Sequence, residues 1–161
     1  MKKIVLLISV LIITLTLGSC KKYDEGPLIS LRSKEKRMNG KWEVQLFLIN
    51  GYDSTNYFNK YDIADFFFNL DEYGQTDIAC RDNTADPKPI IVLTGKWEWI
   101  NNMNAINIKY IISSGAEDNP FELCPFIINN SIDWEIKRLT KNEFYLETNC
   151  DGNLFRLELK R

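Results

Sequence analysis

Residues 91–112 read IVLTGKWEWINNMNAINIKYII, and this stretch decides the fold. Leu93, Gly95, Trp97 and Trp99 alternate with Thr94, Lys96 and Glu98; after an Asn-rich turn, Ile106, Ile108, Tyr110 and Ile112 alternate with Asn107 and Lys109. A side-chain period of two belongs to a β-strand, so the stretch predicts a hairpin with one apolar, aromatic face and one charged face. A lone hairpin is marginal in water. Its apolar face must be buried against further strands that repeat the pattern.

The rest of the chain repeats it. Trp42, Val44, Leu46 and Leu48 alternate with Glu43 and Gln45; Phe66, Phe68 and Leu70 form one inward face, and Thr76, Ile78 and Cys80 return from the Asp71-Glu72-Tyr73-Gly74 turn. Towards the end, Ile132, Trp134 and Ile136 alternate with Asp133, Glu135 and Lys137, followed by Phe144 and Leu146, and then by Phe155, Leu157 and Leu159 after the Asp151-Gly152-Asn153 turn. The strands fall at about 41–49, 64–70, 75–81, 91–100, 105–112, 131–139, 143–149 and 154–160. Most successive strands are joined by turns too short for anything but antiparallel neighbours. Eight of them predict an all-β fold, an antiparallel up-and-down barrel, because closure removes the edges that an open sheet leaves exposed. Residues 29–38, ISLRSKEKRM, predict a short N-terminal helix that stops at Asn39-Gly40.

At 161 residues, with 45% hydrophobic and 12% aromatic side chains, the chain has material for one core. Its net charge is −2 with no basic cluster, which argues against nucleic acid as a partner. Histidine is absent. Ser-His and Cys-His nucleophiles and His-bearing metal sites are therefore excluded. Asp82 and Asp86 share a polar loop but lack the acidic spacing and glycine of a calcium loop, so they read as solvated acids. No metal or other cofactor is expected.

Lys2 and Lys3 precede fourteen residues, Ile4 to Leu17, interrupted only by Ser9, Thr14 and Thr16. This has the length of a signal peptide's apolar region and falls short of the roughly 20 residues that span a bilayer. Leu17-Gly18-Ser19-Cys20 resembles the lipobox of bacterial lipoproteins. That resemblance implies cleavage of a 1–19 signal peptide, a diacylglyceryl group on the Cys20 thiol and an acyl chain such as palmitate on the new amino terminus. With Lys2 and Lys3 removed, the mature chain stands two units lower, at −4. Two or three acyl chains hold a soluble domain on a membrane, at about 0.8 kcal/mol per buried CH₂. No aspartate stands directly after Cys20, which favours the outer membrane; the periplasmic or surface face stays open. Residues 20–28 then read as a flexible tether and 29–161 as the barrel domain.

The short helix followed by Gly40-Lys41-Trp42 at the head of the first strand resembles the Gly-x-Trp opening of lipocalins and of lipocalin-like domains on bacterial lipoproteins. In that family an arginine near the last strand packs across the tryptophan, and Arg156 is the candidate partner of Trp42. The resemblance implies an envelope protein that binds a small apolar or amphipathic ligand inside the barrel. Phe66, Phe68, Trp97, Trp99, Tyr110 and Trp134 are the inward aromatics expected to wall that pocket, unless they serve as filler.

Three further cysteines, Cys80, Cys124 and Cys150, lie in a compartment that permits disulfides. Three pairings are open; Cys124 with Cys150 is preferred because it would pin the long insertion at 113–130 to the sheet. That insertion carries Phe121, Leu123, Phe126, Ile127 and Ile128, too apolar for a free loop, and is expected to pack over a barrel mouth or add an irregular strand. An alternative function follows: a structural or adaptor lipoprotein with a solid barrel that docks on an envelope protein through 113–130. An enzyme is the minor reading, because Glu98, Asp133, Glu135, Glu147 and Glu158 fall on the outward phase, where burial cannot tune a carboxylate.

Overall fold

The computed structural model describes residues 23, 32–57, 63–82, 89–112, 123–127 and 130–161, with the backbone alone over 63–67, 79–82, 89–92 and at 112. Helix α1 spans Lys34–Met38. The strands are β1 Gly40–Ile49, β2 Tyr52–Asp53, β3 Ile63–Leu70, β4 Gln75–Asp82, β5 Pro89–Ile100, β6 Ala105–Ile112, β7 Ser131–Leu139, β8 Glu143–Cys150 and β9 Asn153–Lys160. The eight long strands pair antiparallel in the order β1-β3-β4-β5-β6-β7-β8-β9, and β1 also pairs with β9. The sheet is thus a closed eight-stranded barrel of up-and-down connectivity. Strand β2 is an addition, a two-residue return that pairs with the end of β1.

The hairpin of residues 91–112 forms in the expected register, with Trp97 opposite Ile108 and Trp99 opposite Ile106. Its turn is left-handed at Asn101, Asn102 and Met103 (φ 51°, 54° and 62°). Two of those three are asparagines, which tolerate that region better than most residues. Ile106, Ile108 and Tyr110 are buried while Ile111 is exposed, as alternation requires.

Strand β1 departs from strict alternation. A bulge between Val44 and Leu46 shifts its register against β9. Trp42 and Phe47 are both fully buried, and Leu46 and Leu48 are only half-buried. The extra residue of a bulge moves every later side chain to the other face, so Phe47 replaces Leu46 and Leu48 on the inward side.

Helix α1 closes one end of the barrel. Ser33 caps it by accepting from the Lys36 amide at 3.3 Å, and Met38 is fully buried beneath it. The Trp42 indole Nε1 donates to the Met38 carbonyl at 2.7 Å. Arg161, just past β9, lies with its guanidinium 4.0 Å from the Trp42 ring centroid. Arg161 Nη2 also donates to the carbonyls of Arg37 and Met38, both at 3.1 Å, and to that of Asn39. The arginine across the tryptophan is therefore Arg161 and not Arg156. Arg156 points outward, 3.0 Å from Glu147 and 2.8 Å from Glu158. Its place in the middle of a regular strand fixes that outward phase, whereas Arg161 is past the last rung and free to turn under the barrel.

Tyr23, inside the stretch read as tether, is also buried at this end, and its hydroxyl donates to the Met103 carbonyl at 2.8 Å.

Candidate functional site

The barrel interior is lined by side chains from all its walls, and Phe126 stands among them. Phe126 belongs to a short 3-10 turn, Cys124–Phe126, which carries Pro125 as its second residue and which the Phe126 amide closes by donating to the Leu123 carbonyl at 2.9 Å. Its ring is fully buried. The ring centroid lies 5.9 Å from that of Phe47, and 6.4 Å from those of Phe68, Tyr110 and Trp134. Those four residues come from β1, β3, β6 and β7, spread around the barrel. A single ring can touch all four walls only from the middle of the lumen. The insertion at 113–130 therefore does more than pack over a mouth: at 123–127 it sends an aromatic plug inside.

A disulfide between Cys124 and Cys150 holds the plug, with Cα atoms 6.0 Å apart. It ties the 3-10 turn to the end of β8, two residues from Phe126. This is the pairing preferred from sequence; the side chain of Cys80, in β4, lies outside the described residues.

Of the residues expected to wall a pocket, Phe68, Trp97, Tyr110 and Trp134 are buried inside, and Trp99 is half-buried with its ring edge-on to Trp97 at 5.6 Å. Phe66 is opposite Cys80 in the β3–β4 ladder, and its side chain lies outside the described residues. Cys20 and Asp86 also lie outside them. Sequence reasoning missed Phe47, hidden by the β1 bulge, and placed Phe126 at the rim instead of the centre. An apolar Cys-Pro-Phe-Ile run in a loop was the available signal for the plug.

Four polar atoms inside this aromatic interior make no hydrogen bond among the described residues: Thr76 Oγ1, Trp97 Nε1, Tyr110 OH and Trp134 Nε1. The residues that carry three of them are neighbours in the sheet. Thr76 is opposite Gly95 in the β4–β5 ladder, Gly95 is opposite Tyr110 in β5–β6, and Trp97 is the next inward residue along β5. Gly95 is needed there because a Cβ would meet the Tyr110 Cα at 2.9 Å. Burial pushes the Tyr110 hydroxyl well above the ordinary tyrosine pKa, so it is held as a neutral donor. Both indoles can only donate, and the two hydroxyls can donate or accept. Each of the four can donate to an oxygen acceptor in an otherwise apolar interior.

The outer wall has a different character. Glu147 pairs with Arg156 at 3.0 Å and with Lys137 at 3.6 Å, and Lys137 reaches Glu135 at 3.0 Å. Glu98 and Asp133 are exposed. These acids lie on the outer wall of the barrel, away from the lumen.

Compared with known protein families and with curated proteins, the sequence matches none. Among solved structures, the fold is similar to that of a lipocalin-like protein from Bacteroides uniformis ATCC 8492, with a TM-score of 0.53 and 13% sequence identity over 78% of this chain and 98% of that one. At that identity the likeness is one of fold. The chain folds as a lipocalin-like barrel: eight antiparallel strands, closed, with a short helix across one end.

Proposed function

We propose that this chain is a non-enzymatic binding protein of the bacterial envelope, tethered to the outer membrane through acylated Cys20. Its lumen holds a small amphipathic molecule with an apolar or aromatic body and an oxygen-bearing end. The single observation that carries this reading is the set of buried interior donors, Thr76, Trp97, Tyr110 and Trp134, without hydrogen-bond partners among the described residues. A buried polar group without a partner costs about 1–3 kcal/mol. An interior made only to be packed would be served better by phenylalanine and leucine at those positions. A bound oxygen acceptor would satisfy several of the donors at once, while the ring positions around Phe126 would take the apolar body.

The full chain, recovered from membranes in mild detergent and examined by native mass spectrometry, tests this directly. A co-purifying molecule at one per chain, weakened by Tyr110→Phe and Trp134→Phe, is expected. A chain that is empty as isolated, and that takes up no naphthylamine probe even as Phe126→Ala, would sink the reading.

A second reading keeps the barrel solid and assigns the 113–130 insertion to a protein partner. The observation in its favour is Phe126 itself, which fills the space that a ligand would need.

A further inference from the structure

We infer that the closed end of the barrel rests on the membrane with anionic phospholipid headgroups as its partner, and that the end carrying the Cys124–Cys150 bridge faces away from the bilayer. The inference depends on the proposed acylation of Cys20. It begins at Tyr23, which is 6% exposed at the closed end. The Tyr23 hydroxyl donates to the Met103 carbonyl at 2.8 Å, and Lys34 Nζ donates to the same carbonyl at 3.0 Å while lying 4.7 Å from the Tyr23 ring centroid. The chain is therefore fixed to the β5–β6 turn three residues after Cys20. Three residues span at most about 10 Å. Lipid on Cys20 would hold this end of the barrel, and no other, within that distance of the headgroups.

The same end is cationic. Arg32, Lys34 and Lys36 stand on or beside α1, Lys141 is in the β7–β8 turn and Arg161 follows β9; of the described acids at this end, Glu43 and Glu143 pair with Lys41 and Arg138, and the others are Glu35, Asp71 and Glu72. The whole chain is negative, at −2, so the excess of cations here is a local asymmetry. Arg32, Ser33, Lys36 and Asn39 line a shallow surface cleft. Burial lowers the Arg161 pKa, and the positive charge of nearby Arg32 lowers it further, so the two cations stand close enough to repel. A lipid phosphate set among these groups would relieve that repulsion and accept charge-assisted hydrogen bonds. The screening length in physiological salt is about 8 Å, comparable to the reach of the tether, so the attraction acts once the anchor has brought the surfaces together.

The strands run between two ends, and the plug enters from the far one: Cys150, to which it is bridged, is at the opposite end of β8 from Lys141.

The test uses the full chain expressed with its leader, purified and reconstituted into phosphatidylglycerol-containing vesicles, into phosphatidylcholine vesicles, and kept in detergent. Lysine acetylation is then mapped by mass spectrometry. On the anionic vesicles Lys36 and Lys141 should be acetylated about fivefold more slowly than in detergent, the ratio that roughly one Lys-to-surface contact gives. Lys109, on the exposed outer wall, should be unchanged. Arg32→Glu should reduce the protection of Lys36 and Lys141, and Tyr23→Ala should reduce it while the protein stays vesicle-bound. Uniform acetylation of an acylated, vesicle-bound chain would overturn the docking and leave the anchor standing; equal protection on phosphatidylcholine would overturn the choice of anionic headgroups. Absence of acyl mass on Cys20 would overturn the anchor, and the docking with it.

Discussion

The Arg161 guanidinium lies 4.0 Å from the centroid of the Trp42 ring, joining the residue after the last strand to the start of the first. The same side chain donates to the carbonyls of Arg37 and Met38 at the end of α1. One cation thus fastens the helix, the first strand and the chain's end across the floor of the barrel. Charge-assisted hydrogen bonds and a partly exposed cation–π contact add up to about 2 kcal/mol, the loss expected for Arg161→Ala. Arg161→Lys should recover little of it, because a lysine cannot both stack and fork. Urea unfolding measures both, with Arg156→Ala as the comparison; its ion pairs on the outer wall should be worth less than about 1 kcal/mol.

Phe126→Ala separates the two readings of the lumen. Removing a fully buried ring should cost about 3–5 kcal/mol of stability. If Phe126 occupies a ligand's place, the variant should also bind an apolar naphthylamine probe more tightly than the parent, seen as blue-shifted emission that saturates at one probe per chain. Loss of stability with no gain in binding favours the solid barrel.

The Cys124–Cys150 bridge closes a loop of sequence separation 26, for which chain entropy gives about 3.5 kcal/mol. Reduction, or the paired change Cys124→Ser with Cys150→Ser, should lower the urea midpoint accordingly. It should also speed probe entry in stopped-flow, because the plug would no longer be tied beside the mouth. An unchanged entry rate would show that the bridge stabilises the fold without restraining the plug.

Tyr110 gives a pH dependence with a definite sign. Its hydroxyl is held protonated in the fold, whereas an unfolded tyrosine ionises at about 10.0. Stability is therefore fully present below pH 10 and falls as the pH rises above it, since only the unfolded chain releases the proton. Buried Tyr23 acts in the same direction. Tyr110→Phe should make the alkaline limb shallower in denaturant melts between pH 9 and pH 11. Without ligand the variant should be as stable as the parent or about 1 kcal/mol more so, because the lost hydroxyl has no partner among the described residues.

Gly95→Ala should destabilise the barrel by about 3 kcal/mol, since the new methyl would press on the backbone of Lys109 and Tyr110 in the neighbouring strand. Circular dichroism melts of the variant measure this.

Much of the fold was legible in the sequence. In the β5–β6 hairpin, in β8 and in β9, period-two alternation placed Trp97, Ile108, Phe144, Leu157 and their neighbours correctly, because a regular strand gives each side chain no choice but to alternate. At Phe47 the reading failed. A bulge leaves no mark in the hydrophobic pattern of a strand whose outward face, with Leu46 and Leu48, is also apolar. The inward face was legible to the extent that it lies on those regular strands, so Phe68, Trp97, Tyr110 and Trp134 were placed inside the barrel and Phe126, carried on a loop, was misplaced.

By itself the sequence determined that the chain forms an eight-stranded antiparallel barrel and which faces turn inward, because alternation and short turns are local properties that read directly along the chain. Tertiary structure alone decided that Phe126 stands in the middle of the lumen, that Thr76, Trp97 and Tyr110 are neighbours around Gly95, and that Arg161 takes the place beside Trp42. Those relationships join residues far apart in the chain, and only closure of the barrel brings them within reach of one another.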